Sequence, residues 1–597
     1  MNFYATFSIP FIVGVVTMFV VLIVKYGSWI FGLSAADRMR IVKGIPSRQT
    51  PLAVWEVVRE SLLHRRIFKV NPLLGYMHMS LAFGWFLLIV VGWIETVAYL
   101  GFRYVPLHGH VFFKYFATEL PHKPVFDFLM DLLLLFVLSG VTLAFGKRIY
   151  SQAMGMHRTT RHVLGDRIAL SVLWLIFPAR LLAESITCAL HGGGGFLTGT
   201  IGEWMAHHVN PIVLQTLYEP LWWAYSICLG LFFIVLPFSR YMHIFTEIPL
   251  IFLRRYKLHS TEKEGSFDRF QTDACSRCGI CIDPCQLQSE LGIDDVQSVY
   301  FLRDRRYNHL RQSVANNCLM CGRCEQRCPV GIELNTLRLN SRDTMRNTPD
   351  EKRYEYFQGV DRSAGEGRVG YFAGCMTLLT PRILLAMERI FKASGEEVWW
   401  ADKEGGVCCG RPLKLSGETD SARKMMDYNI ALFRKHRITT LVTSCPICLK
   451  VFREEYHLEG IEVLHHSEYM LRLIRDGRLQ LRRGAQTFTY HDPCELGREV
   501  IEAVGVLLEP AQTREHALCC GSSVANTAIS DAQQLRLARS VAKELSATGA
   551  GTIVTACPLC KKAIARGADG REVLDLAEVV AAALVSKTVA AVPDKGV

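Results

Sequence analysis

Hydrophobic positions divide this chain into two parts with different rhythms. In the first, apolar residues gather into five long runs, near residues 6–31, 76–100, 125–146, 168–190 and 219–242. Each reaches the roughly 20 residues that an α-helix needs to cross the hydrocarbon of a bilayer. The opening stretch "MNFYATFSIPFIVG" has no basic leader and no small-residue cleavage site, so it reads as a retained span and not as a secretory signal. After residue 365 the rhythm shortens. "RVGYFAGC", "ITTLVTSCPICLK", "TFTYHDPC" and "AGTIVTACPLCKK" are short apolar strands running into turns, the pattern of an α/β fold with its sites at strand ends. "TSCPICLK" and "TACPLCKK" repeat one another, so the last 230 or so residues are two copies of one unit. The predicted architecture is multidomain: an all-α five-helix transmembrane bundle over 1–255, an α-helical segment over 256–365, and tandem α/β units over 366–480 and 481–597.

Charge changes the picture through its placement. The net charge is +11 over 597 residues. Residues 33–75 carry Arg38, Arg40, Lys43, Arg48, Arg59, Arg65, Arg66 and Lys69, and residues 147–167 carry Lys147, Arg148, Arg158, Arg161 and Arg167. Residues 191–218 have no Lys or Arg, and the last run is followed by Arg254, Arg255 and Lys257. Positive loops stay in the cytoplasm. The expected topology is a multi-pass protein of the inner (cytoplasmic) membrane, with its N-terminus outside and everything beyond residue 243 cytoplasmic. The basic residues set orientation and imply no nucleic-acid partner.

Cysteine usage agrees with that placement. Of 20 cysteines only Cys188 and Cys228 lie in the apolar part; the rest follow residue 274, nearly all in tight motifs. This is ligand usage in a reducing compartment, not a secreted disulfide framework. "CSRCGICIDPC" supplies Cys275, Cys278, Cys281 and Cys285, and "CLMCGRCEQRCP" supplies Cys318, Cys321, Cys324 and Cys328. Both have the C-x2-C-x2-C-x3-C spacing of a bacterial ferredoxin, in which the last cysteine of each run completes the other run's cluster. The expected sets are Cys275, Cys278, Cys281 and Cys328 for one [4Fe–4S] cubane, and Cys318, Cys321, Cys324 and Cys285 for the other. Zinc is the weaker alternative for eight thiols so arranged.

Each α/β unit carries a lone cysteine, a Cys-Cys-Gly doublet and a CxxC. The first set is Cys375, Cys408, Cys409, Cys445 and Cys448; the second is Cys494, Cys519, Cys520, Cys557 and Cys560. Adjacent cysteines pair poorly with each other, whereas a doublet can aim two sulfurs at neighbouring irons, the following Gly410 or Gly521 allowing close backbone approach. Five thiolates exceed the needs of a plain cubane and suit an open cluster; a structural zinc on four of the five is the alternative. These features resemble the CCG-domain family, which includes the catalytic subunit of heterodisulfide reductase. The resemblance implies that each set ligates a noncubane [4Fe–4S] cluster. The gap from lone cysteine to doublet is shorter in the second set, which puts one of the two clusters in question.

Histidine is costly in lipid unless it has a task. His78 near the start of the second run and His243 at the end of the fifth fall at one depth, where two imidazoles could hold a haem b iron. "NPLLGYMHMS" and "LGLFFIVLPFSRYMHIF" resemble the nitrate reductase gamma subunit, a five-helix dihaem cytochrome b, and that resemblance assigns His78 and His243 as axial ligands. The positions matching the family's second haem are Leu88 and Tyr225, so one haem is expected, the second being in doubt; His108, His110, His191, His207 and His208 are substitutes only from loops. "FPARLLAESI" places Arg180 and Glu184 one turn apart in a span, either as an internal ion pair or at a quinone pocket, with Glu95 and Glu219 at similar depth. "HGGGGFLTG" lacks the lysine and flanking strand of a phosphate loop and reads as a turn.

The order of these parts describes a redox wire from cytosol to bilayer. No Rossmann fingerprint or flavin site is evident, so hydrides must enter through a partner. The whole arrangement resembles the membrane-bound electron-transfer-flavoprotein:menaquinone oxidoreductases. That resemblance implies electrons passing from a reduced electron-transfer flavoprotein, or another cytosolic redox protein, through the iron–sulfur clusters and haem to menaquinone. The alternatives are a membrane-linked heterodisulfide (thiol–disulfide) reductase drawing on quinol, and an electron-transfer subunit of a larger complex.

Overall fold

The computed structural model describes residues 3–150, 160–261, 264–346, 361–405, 407–493, 498–524, 526 and 528–585. Among these residues, five helices are long and apolar enough to cross a membrane: Thr6–Phe31, Pro72–Leu100, Pro124–Ile149, Leu164–His191 and Pro211–Phe238. The first and fifth meet at glycines: a Cβ on Gly14 would lie 2.5 Å from the Gly230 carbonyl oxygen. One expectation is corrected here. His243 does not end the fifth span. That span stops at Phe238, the backbone turns extended at Ser239, and His243 opens a separate helix, His243–Arg255. Proline and the Ser239 cap on the Tyr241 N–H account for the break. The glycine run is a turn, with Gly192, Gly193 and Gly194 all at positive φ.

The C-terminal part contains two parallel four-stranded sheets with one topology. Strands β1 (Val369–Phe372), β2 (Val398–Trp400), β3 (Thr440–Thr443) and β4 (Glu462–His465) lie in the order β2-β1-β3-β4. Strands β5 (Thr487–His491), β6 (Val506–Leu508), β7 (Thr552–Thr555) and β8 (Val573–Asp575) lie in the order β6-β5-β7-β8. The repeat read from the sequence is therefore a repeat of topology. The direction of winding reverses between β1 and β3, and between β5 and β7, so a crevice opens at their carboxyl ends. The first crossover helix, Pro381–Ser394, has 14 residues; its counterpart, Arg498–Val504, has 7. The shorter cysteine gap of the second unit goes with a shorter described crossover helix.

The units join through equivalent elements. Helix Pro381–Ser394 packs on Leu576–Ala583 of the second unit, and helix Arg498–Val504 packs on His466–Arg475 of the first. At the centre His466 lies 3.4 Å from Asp575, both fully buried. Asp575 also caps its helix through the Ala577 N–H. Burial pushes the Asp575 carboxyl up to about 7 and holds His466 well below the usual imidazole range. A carboxyl raised in the folded state lends stability that is complete below its unfolded value of about 4 and is lost as pH rises through about 7. Asp575→Asn keeps the cap and removes the charge. It is expected to raise the unfolding temperature at pH 8 relative to the parent, with the difference shrinking towards pH 5, as scanning calorimetry would record.

Candidate metal centres

Each α/β unit carries its described cysteines on segments that follow its strands. Cys375 follows β1, Cys408 and Cys409 follow β2, and Cys445 and Cys448 follow β3. The buried Asp402 carboxylate holds the first loop, accepting the N–H groups of Ala373 at 2.9 Å and Gly374 at 2.7 Å and the Trp400 indole N–H at 3.0 Å. Gly374 has φ +87°, and a Cβ there would stand 3.3 Å from the Cys448 sulfur, so the loop grips the site only as glycine. The Cys408 thiol donates to Cys409, which with a hydrogen bond from Cys448 draws Cys409 down to about 5. The second unit repeats the pattern: Cys519 and then Cys560 hold Cys520 well below the usual thiol range. In both doublets the hydrogen bond from the first cysteine lowers the second. Cys494 lies outside the described residues. Gly410 and Gly521 do permit a close approach, but to the following helices: their Cβ atoms would meet the Ala422 oxygen at 3.1 Å and the Leu537 Cβ at 2.6 Å.

The ferredoxin-like loops interleave. Cys275, Cys278, Cys281 and Cys328 line one cavity of about 370 Å³. Cys285 lies in the electrostatic neighbourhood of Cys318, Cys321 and Cys324, and Cys281 in that of Cys324, so the two groups adjoin. Burial pushes the Cys275 thiol up to about 12 and Cys321 to about 11. Thiolates are stable in such loops when cations stand among the sulfurs. All described cysteines are free thiols. Among the described residues no three His, Cys, Asp or Glu side chains are gathered as a site for a single metal ion.

A second cavity, about 310 Å³, is lined by His64, His78, His243, Glu60, Glu247 and Ser276, with Pro329 and Val330. The buried Nε2 of His78 has no hydrogen-bond partner. His243 engages the Arg240 carbonyl through Nδ1 at 2.7 Å, which leaves Nε2 for another task. Burial lowers His243 to about 3 and raises Glu247 to about 7. Neutral imidazoles with an unused buried nitrogen fit the axial positions of a haem. His64 was missed by sequence reading. It sits at φ +51°, its ring 5.6 Å from that of His78, and only the fold brings it there.

Ser276, Pro329 and Val330 line both this cavity and that of Cys275, so the two share a wall. Basic side chains hold that wall in place. Arg66 donates to the Pro329 carbonyl at 3.2 Å, Lys147 to Cys278 at 3.2 Å, Arg240 to Ser276 at 2.5 Å, and Arg254 to Gly331 at 2.8 Å and to Val330. Asp166, fully buried at the start of the fourth span, pairs with Arg277 and accepts the Arg240 N–H at 2.7 Å and the Tyr307 hydroxyl at 3.0 Å.

At the other end of the bundle, Arg180 and Glu184 are paired at 2.9 Å, and both are buried. They line a cleft of about 370 Å³ with Glu95, Lys114 and Asp127. Glu219 is apart from this group, accepting from the Tyr115 hydroxyl at 2.5 Å. Leu88 and Tyr225 are buried, Tyr225 edge-on to Phe112 at 5.5 Å. His207 and His208 are exposed and bond carbonyls of their own helix, and His108 bonds Phe3. His110 and His191 line the clefts at this end of the bundle.

Cysteine-lined crevices on duplicated sheets, joined to interleaved CxxC loops, define the class: the chain is an iron–sulfur oxidoreductase. The family model for a cysteine-rich CCG domain matches residues 369–453 and again 488–565, and that for a 4Fe–4S dicluster domain matches 271–332. Over nearly its full length the chain is similar to the EtfAB:quinone oxidoreductase of Syntrophomonas wolfei, at 21% identity across 94% of this chain and 95% of that one. It is 26% identical to one polypeptide of the dihydromethanophenazine:CoB–CoM heterodisulfide reductase of Methanosarcina mazei, over 54% of this chain and 81% of that polypeptide. One polypeptide of the fumarate reductase (CoM/CoB) of Methanothermobacter marburgensis is 24% identical over 48% of this chain and 66% of its own length.

Asp166→Ala would leave the Arg277 charge buried and unpaired, at a cost of about 3–5 kcal/mol. The expected result is a lower unfolding midpoint and iron lost from the ferredoxin loops, read by calorimetry and iron analysis. Adding Arg277→Met should recover part of the stability.

Proposed function

We propose that this protein carries electrons from a reduced cytosolic electron-transfer flavoprotein to menaquinone in the inner membrane. The observation that carries the reading is continuity. The cavity holding His78 and His243 shares a wall with the cavity of Cys275, Cys278, Cys281 and Cys328, which adjoins the group of Cys285, Cys318, Cys321 and Cys324, and that group abuts the α/β units. In this reading those eight thiolates bind two cubanes, the two CCG sets bind one or two noncubane clusters, and His78 and His243 bind one haem b. The bound groups would supply one-electron transfer, and the chain fixes their order and spacing. The N-terminus lies outside and the cysteine-rich domains in the cytoplasm. The full-length similarity to a protein named for EtfAB and quinone supports this donor and acceptor.

Arg180 and Glu184, with Glu95, are the candidates for the quinone pocket. A guanidinium there can polarise a quinone carbonyl oxygen, while a carboxylate hands on the protons that the two-electron reduction consumes. Leu88, Tyr225 and the rings around them occupy the level at which the dihaem cytochromes place a second haem. The similarity to a heterodisulfide reductase polypeptide supports one other reading, a quinol-driven thiol–disulfide reductase.

The purified chain should hold one b-type haem and at least eight cluster irons, and should reduce a menaquinone analogue with electrons from a reduced electron-transfer flavoprotein. His78→Ala should abolish the b-type spectrum and cut quinone reduction at least a hundredfold, while iron content persists. Turnover of a heterodisulfide without flavoprotein activity would replace this reading with the other.

A further inference from the structure

The two CCG sites have matching folds but different surroundings. In the first unit the Cys408 carbonyl is held inside the unit, accepting from Asn429 at 2.8 Å. In the second unit the equivalent carbonyl, that of Cys519, accepts from Gln286 of the ferredoxin segment at 3.0 Å. The Cys519 N–H donates back to the same Gln286 amide at 2.7 Å. Gln286 is buried and directly follows Cys285. This reciprocal clasp ties the backbone of one candidate ligand to the neighbour of another. Cys285 and Cys519 also pack against one apolar cluster of Leu287, Val296, Leu319, Ile529 and Leu537. The charges of Cys321 and Cys519 both act on Arg323, whose guanidinium bridges the Pro284 carbonyl at 3.0 Å and Gln512 at 2.5 Å. Asn526 reaches Asn317 at 2.8 Å, and Arg536 the Glu290 carbonyl at 2.5 Å.

The first unit touches the ferredoxin segment elsewhere, through Arg342 to the Leu415 carbonyl and through Arg346 to Glu418. Among the described residues no hydrogen bond joins Cys375, Cys408, Cys409, Cys445 or Cys448 to the ferredoxin loops. Cys375 is exposed to solvent, and its short helix, Cys375–Leu378, packs on helix Pro558–Gly567 of the second unit.

We propose that the two CCG sites act in series: the first receives electrons at the open Cys375 face, the second is the sole relay to the Cys285 cluster site, and Gln286 is the positioning residue that fixes that relay. This rests on the electron-transfer reading above. Each step moves one electron: the first site loses it, the second gains it and passes it to the Cys285 site. Two such electrons and two protons convert one quinone to quinol.

The test uses the full chain in liposomes containing menaquinone, reduced with dithionite, freed of excess reductant, and sampled by freeze-quench EPR and haem spectroscopy. In Cys520→Ser/Cys560→Ser the first site should stay reduced while haem and both cubanes reoxidise. In Cys409→Ser/Cys448→Ser the second site should reoxidise at the parent rate. Gln286→Ala should slow reoxidation of both CCG sites at least tenfold with iron content unchanged, and should remove the spin relaxation enhancement between the second site and the Cys285 cluster. Gln286→Glu, which keeps the acceptor for the Cys519 N–H, should restore an intermediate rate. Parent-like reoxidation of the first site in the Cys520/Cys560 variant, or an unchanged rate and relaxation in Gln286→Ala, overturns the proposal. Haem that stays reduced in the unmodified protein overturns the quinone reading, and this proposal with it; a failure confined to the CCG arms overturns this proposal alone.

Discussion

The structure depends on charged side chains at the end of an apolar bundle finding backbone carbonyls of a cysteine loop. Arg66, Lys147, Arg240 and Arg254 each donate to a carbonyl within or next to the two ferredoxin runs. The residues that the positive-inside rule assigns to orientation therefore have a second physical task. A loop wrapped around a cluster turns its N–H groups inward to the sulfurs, and its carbonyls must then find donors elsewhere. Guanidinium and ammonium groups from the bundle meet that need, and in doing so hold the cysteine loops against the wall of the histidine cavity. Asp166 balances the arrangement, since Arg277 would otherwise be a buried charge without a counter-ion.

Spacing made much of this legible. The five spans, the two ferredoxin runs and the duplicated α/β units are all local patterns, and locally encoded features survive folding unchanged. Arg180 and Glu184, one turn apart, are paired as their spacing requires. What was not legible depends on contacts distant in sequence. His64 reaches the cavity because its backbone adopts a left-handed conformation that no residue pattern announces. Gln286 meets Cys519 across 233 positions. The helix break at Ser239 was hidden because the apolar run continues through it, although Pro237 marked the place. The difference in cysteine gap goes with crossover helices of 14 and 7 residues.

The two ends of the bundle gather different ionisable groups. Burial lowers His243 to about 3 in the histidine cavity and pushes the Cys275 thiol up to about 12 in the ferredoxin loops. The cleft at the opposite end gathers Glu95, Lys114, Asp127, Arg180 and Glu184 within the bundle. Ionisable groups in a membrane interior mark routes for ions, protons or polar substrates. Both ends of the bundle therefore carry ionisable side chains inside the fold, histidines at one and an Arg–Glu pair at the other.

The matched packing of the two α/β units has an evolutionary reach. Equivalent helices meet across the junction, as they would in a symmetric dimer of one ancestral unit. In such a dimer every substitution appears twice, so no neighbour could favour one copy. Joining the copies in a single chain lifts that restriction: Asn429 could remain the partner in one half while an outside glutamine took over in the other. Covalent fusion is what allows a symmetric scaffold to give its two halves different neighbours.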